Sequence, residues 1–156
     1  MSETAQTPPS APPFVARIPF AFFATVLGLG GLANGWREAA RLWGWPTAIA
    51  DALALLAFAV WAVVAVAVAT KWAVARPAAK AEALHPITGG FLALAPMSGM
   101  IAGLATLPLF GDLSRGLLAI LVAAQIAFAL WFVGRAWTGG RPAEATTPVL
   151  PLPDRT

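Results

Sequence analysis

The stretch AFAVWAVVAVAVAT, Ala57 to Thr70, has no polar face when wound as a helix and no polar alternation of the kind a barrel strand carries. A soluble surface helix of this length shows a polar stripe, so these residues point to a helix with apolar surroundings on every side. Extended back to Ala52, the stretch becomes a run of 19 residues without Asp, Glu, Lys, Arg or His. A hydrocarbon core of about 30 Å takes roughly 20 helical residues to cross. In lipid the backbone must satisfy its own hydrogen bonds within the segment, which leaves a transmembrane helix as the reading.

Three further charge-free runs accompany it: Ile18 to Trp36 with 19 residues, Pro86 to Gly111 with 26, and Gly116 to Gly134 with 19. The pattern predicts an all-α integral membrane protein with four transmembrane helices in two helical hairpins, over residues 17–136. Composition agrees, since 59% of the 156 residues are hydrophobic and 11% charged, more apolar surface than a soluble chain of this size buries. Residues 1–16, with Pro8, Pro9, Pro12 and Pro13, read as a disordered, proline-rich lead. They do not read as a secretory signal, because a single Arg precedes a full span and no small-residue cleavage site follows. Residues 137–156 read as a proline-rich tail.

In a four-span chain, Arg17, Lys71, Arg76, Lys80, Arg135, Arg141 and Arg155 lie on the side of the termini, and Arg37, Arg41 and Arg115 lie opposite. Basic residues collect on the cytoplasmic side, so both termini are predicted to be cytoplasmic, in a multi-pass protein of the cell's inner, or plasma, membrane. Trp36, Trp43 and Trp45 at one end and Trp72 and Trp137 at the other have the placing of aromatic belts.

Several function classes are excluded or disfavoured. The absence of Cys removes disulfides and thiol chemistry. One His, three Asp and four Glu, none of them mid-span, supply no general base, nucleophile or metal site at depth. The reading is therefore a non-enzyme without metal or cofactor, and without the buried ionisable groups of a proton pump. The net charge of +3 sits in loops and ends, as membrane topology requires, and gives no nucleic-acid footprint. His85 reads as a solvated loop residue, and Gln125 as a bond between helices.

The runs differ in character. Pro19, Gly28, Gly30, Gly31 and Gly35 punctuate the first, and Gly89, Gly90, Pro96, Ser98, Gly99, Gly103 and Pro108 the third. A proline within a helix frees a carbonyl, which lipid does not satisfy, so these two spans are predicted to be interior. The second and fourth, nearly continuous Ala, Val, Leu and Phe, are predicted to be outer helices. Pro96, near the middle of its run, is the candidate for a mid-span kink. Gly31-x-x-x-Gly35 and Gly99-x-x-x-Gly103 also fit plain helix packing with no pore at all.

Three stretches carry a family resemblance. IPFAFFATVLGLGGL, Ile18 to Leu32, resembles the opening helix of the tellurite-resistance and dicarboxylate-transporter family, which includes TehA-type proteins and the slow-type anion channels of plants. LHPITGGFLALAPMSGM, Leu84 to Met100, resembles that family's approach to its third helix, and WTGGRPAEATTPVLPLP, Trp137 to Pro153, its approach to the fifth. Ala21 and Thr147 depart from the pattern, standing where a glycine and a histidine are expected.

The resemblance implies a ten-helix channel of five hairpins, with odd-numbered helices lining a pore and even-numbered ones outside, of which this chain would supply the N-terminal two hairpins. The family's gate, a phenylalanine of the ninth helix, has no counterpart in these residues. The positions carried over as pore-lining are Pro19, Phe22 and Gly28 on the first span and Pro96, Ser98 and Gly99 on the third. Helix packing is expected at Gly31, Gly35, Gly99 and Gly103. Passive permeation of small anions or organic acids is the implied activity, with the lipid bilayer, and either further copies or the missing C-terminal helices, as partners. A non-conducting four-helix membrane protein that serves structure or interaction, or an inactive fragment, is the alternative.

Overall fold

The computed structural model describes residues 14–85 and 88–137. Five α-helices make up most of it: α1 Phe23–Trp43, α2 Thr47–Val74, α3 Arg76–Leu84, α4 Leu94–Phe110 and α5 Asp112–Trp137. Short 3-10 segments cover Phe14–Arg17, Phe20–Phe22 and Thr88–Ala93, and no strand occurs among the described residues. The lead up to residue 13 and the tail beyond Trp137 lie outside the described residues.

Three stretches are long and apolar enough to cross a membrane: Thr47–Val74, Thr88–Phe110 and Asp112–Arg135. The first and last of them run past their charge-free segments, so that Asp51 and Lys71 stand within α2 and Arg115 within α5, whereas Thr88–Phe110 lies inside its own. The first charge-free run is not one of the three. Its α-helix starts only at Phe23, and Arg37, Glu38 and Arg41 occupy the last part of α1. Arg41 donates to Glu38 one turn away and thereby holds that carboxyl below its ordinary pKa.

Each helix ends where local chemistry ends it. Gly44 closes α1 in the left-handed conformation, φ 70°, with its N–H on the Ala40 carbonyl at 2.9 Å, and Pro46 then leads into α2. Pro77, in the first turn of α3, is tolerated there because the N–H it lacks has no partner at a helix start. His85 precedes Pro86 and is held extended, φ −65° and ψ 136°, which stops α3. Gly111, φ 50° and ψ −114°, makes the sharp turn between α4 and α5 and donates to the Leu107 carbonyl at 2.9 Å. A side chain is strained in that backbone region by about 1–3 kcal/mol. Gly111→Ala is accordingly expected to lower the stability of the α4–α5 hairpin by that amount in detergent unfolding, although a Cβ there has open space around it.

Packing runs through small residues. α1 lies against α2 and α4, α2 also touches α4, and α5 packs on α4. Ala33, Ala54 and Ala105 meet at one level, Val26, Ala57 and Ala102 at the next, and Phe20, Phe23, Val68 and Ala83 at the end near the N-terminus. Lipid tails are as apolar as leucine, so association within a bilayer rests on close contact, which alanine and glycine permit.

Candidate functional site

The two punctuated spans start in the same way. Each opens with a 3-10 segment, Phe20–Phe22 and Thr88–Ala93, and these segments touch one another at one end of the bundle. Pro19 precedes the first, and the free amide of Phe20 that follows it donates to Glu82 Oε1 at 2.9 Å. The carboxylate stands at a helix start, where orphan N–H groups and the helix dipole favour negative charge. Its other oxygen pairs with Lys71, whose ammonium also donates to the Ile18 carbonyl at 2.9 Å and lies 5.2 Å from the centre of the Phe20 ring. Two backbone groups flanking Pro19 are thus fastened to α2 and α3 by one ion pair. The Lys71 side chain is only 3% exposed. In sequence Lys71 reads as a solvated topology charge; folded, it is a buried strut.

The other end has a similar clasp. Arg37 of α1 donates to Asp51 of α2 at 2.7 Å and to the Ala105 carbonyl of α4 at 2.8 Å, joining three helices. Asp51, which directly precedes the charge-free run from Ala52 to Thr70, is half-buried in this pair. Trp36, Trp43 and Trp45 form a tilted ring cluster beside it, with centroid separations of 5.2 and 5.1 Å.

Between the clasps, glycine positions decide which surfaces close. A Cβ on Gly30 would stand 2.7 Å from Ile101, so Gly30 seats α4 against α1. A Cβ on Gly99 would stand 2.7 Å from the Trp61 ring and 2.9 Å from Leu121, and one on Gly103 would stand 3.3 Å from Leu118. The Gly99/Gly103 pair therefore receives α2 on one side and α5 on the other. Trp61 was not singled out by the sequence, yet its Nε1 donates to the Ala95 carbonyl at 2.9 Å, immediately before Pro96. Gly28, Gly31 and Gly35 have no atom within 4 Å of a Cβ and are exposed on one face of α1, at i, i+3 and i+7.

The six positions proposed for a pore consequently occupy different surroundings. Pro19, Phe22 and Gly28 are exposed, with Phe22 at 51%. Pro96 is half-buried, not mid-helix but in the first turn of α4, just beyond the change from 3-10 to α geometry inside the span. Ser98 is fully buried with its hydroxyl on the Ala95 carbonyl at 3.3 Å, and Gly99 backs onto Trp61. The described chain does not bring the last two to the open face, because α2 and α5 cover that side of α4. Of the expected packing glycines, Gly99 and Gly103 make close contacts, while Gly31 and Gly35 face open space. Gln125 keeps its side-chain carbonyl buried with no hydrogen-bond partner among the described residues. No three of His, Asp and Glu come together as a metal site among these residues.

An apolar bundle clasped at both ends, with two helices that begin in 3-10 turns and one bare glycine face, is suited to forming a wall. A family model described as SLAC1, voltage-dependent anion channel, matches residues 17–153. The chain belongs to the SLAC1 family. The match begins at Arg17, directly before the Pro19 clasp, and runs through all five α-helices. A tellurite resistance protein TehA homolog of Haemophilus influenzae is similar, with 27% identity over 137 residues covering 87% of this chain. The chain spans 42% of that relative's length. The SLAC1 family is one of membrane transport proteins, and the apolar helices place this member in a membrane.

Proposed function

We propose that the chain forms part of the wall of a pathway through which small anions or organic acids pass down their gradient. The observation that carries the reading is the family membership over residues 17–153, joined to the bare face of Gly28, Gly31 and Gly35 on α1. A glycine-lined face offers width without a fixed charge, which suits weak binding and fast exit of an ion. The relative's name connects that protein with tellurite resistance; for this chain we propose an anion in general and no particular one.

In this proposal the chain crosses four times, in two hairpins, and corresponds to the first part of a ten-helix channel. The first crossing combines Phe20–Phe22 with the apolar part of α1, a reading supported by the contacts of α1 with both α2 and α4. Both termini are cytoplasmic, on the count of seven basic residues against three. The protein lacks Cys, so single cysteines report orientation in intact cells. Thr47→Cys is expected to react with an impermeant thiol reagent from outside, whereas Ala81→Cys, on the exposed side of α3, is expected to react only after permeabilisation. Outside labelling at Ala81→Cys reverses the topology.

In this proposal further inner helices close the pathway, either from other copies or as the C-terminal helices of the ten-helix plan, since two inner helices leave one side open. Liposomes holding the purified chain alone are expected to pass anions near the protein-free background. Co-reconstitution with the remaining helices of a family member is expected to raise the flux. Selective conductance from the chain alone replaces this arrangement with a self-assembled pore, and no flux in any combination favours a structural role.

A further inference from the structure

Beside the clasp at the N-terminal end, α3 and the end of α5 leave a groove of about 530 Å³ on the outside of the bundle. This lies within the usual range for ligand pockets, ~300–1,000 Å³. Its floor is apolar, with Leu84, Leu92, Phe128 and Trp131, and two cations, Lys80 and Arg135, line it as well. Lys80 and Leu84 are one turn apart on the same face of α3, and the Arg135 guanidinium stands 5.4 Å from the centre of the Trp131 ring one turn before it.

The charge inventory of the described residues leaves these two cations without a counter-charge, as it does Arg17 and Arg76, and of the four only Lys80 and Arg135 line the groove. The described residues hold four acids, and each is already paired: Glu38 with Arg41, Asp51 with Arg37, Glu82 with Lys71 and Asp112 with Arg115. Lys80 and Arg135 have no carboxylate partner among the described residues. Arg135 ends the apolar stretch Asp112–Arg135 and Lys80 lies on the short helix that follows α2, so a membrane crossed by α2 and α5 would set both near its phosphate headgroups, a level that suits the amphipathic Trp131 ring.

We propose that this groove is a binding site for an anionic phospholipid, with one acyl chain against Leu92, Phe128 and Trp131 and the headgroup phosphate between Lys80 and Arg135. Apolar floor and paired cations match the two ends of one lipid molecule, and a net negative headgroup fits better than a zwitterionic one because every acid among the described residues is already paired and none lines the groove to meet a choline. The site uses none of the α1 face on which the transport reading rests, so the two stand or fall separately.

The test reconstitutes the full chain in phosphatidylcholine bilayers and titrates in phosphatidylglycerol or phosphatidylcholine with brominated acyl chains, reading quenching of tryptophan fluorescence. Each basic side chain near a membrane surface contributes about five-fold preference for anionic lipid, so the pair is expected to give roughly 25-fold. Lys80→Gln with Arg135→Gln is expected to abolish that preference, and Trp131→Phe to remove much of the quenching. Arg76→Gln, on α3 but outside the groove, is expected to keep the preference. The charge-conserving pair Lys80→Arg and Arg135→Lys is expected to retain it too, and circular dichroism checks that each variant is folded. Equal quenching by both lipids, the result also expected if a protein segment fills the groove, overturns the proposal. So does a loss as large in Arg76→Gln as in the double variant, which marks a diffuse basic surface.

Discussion

Replacing Glu82 by Gln is expected to destabilise the fold by about 3–5 kcal/mol, the range for removing one partner of a buried ion pair. The Gln amide oxygen still accepts from the Phe20 N–H, but the Lys71 ammonium, 3% exposed, is left with the Ile18 carbonyl as its neighbour and no counter-charge. Lys71→Met removes the opposite partner and leaves Glu82 half-satisfied. In the double variant Lys71→Met with Glu82→Gln no unpaired charge remains, so its loss is expected to be smaller than the sum of the two single losses. Reversible unfolding in mixed detergent, followed by circular dichroism, measures all three. Single losses under about 1 kcal/mol, the range of a surface pair, contradict the strut. Hydrogen exchange at Phe20 is expected to rise in the same variants, because that amide is the group the carboxylate holds.

Gly99→Leu is expected to lower stability by about 3 kcal/mol, the upper part of the usual range for overpacking. The first added carbon already lies 2.7 Å from the Trp61 ring, and that ring cannot swing aside without releasing its bond to the Ala95 carbonyl. Leu121 on the opposite side, 2.9 Å away, has a flexible tip and yields more easily. Gly31→Leu and Gly35→Leu meet open space and are expected to leave the chain's unfolding midpoint within about 0.5 kcal/mol of the parent, as surface changes do. Under the transport reading these two substitutions reduce anion flux instead, so stability and flux separate on the two pairs of glycines. Equal destabilisation at Gly31 and Gly99 contradicts the contact pattern described above.

The apolar segments were legible because crossing a membrane is a local demand. A run such as Ala52 to Thr70 must be continuous, free of charge and helical, and each of these properties is visible in neighbouring residues. Helix ends are equally local at Gly44, Gly111 and His85, where single residues restrict the backbone, although the sequence reading rests on charge-free runs and not on these residues. Helices α2 and α5 nevertheless overshoot their charge-free runs at both ends, and α1 at its end, since hydrogen bonding continues past the point where side chains turn polar. The family was also legible, in the succession of short motifs from Ile18 to Pro153.

What depended on the tertiary structure is which of many similar small residues touch something. Gly30, Gly31, Gly35 and Gly99 are equivalent in composition and spacing, but α4, open space, open space and Trp61 lie against them in turn. The ion pair of Lys71 and Glu82 and its bonds to Ile18 and Phe20 join positions up to 62 residues apart, as the Trp61 bond to Ala95 joins positions 34 apart. Periodicity reports how one helix divides into faces, and a charge count reports which end of a span a residue occupies. Neither reports which face meets a neighbour, because that is set by the packing of separate helices, and only there does a topology lysine become a buried strut and a glycine become the seat of a tryptophan.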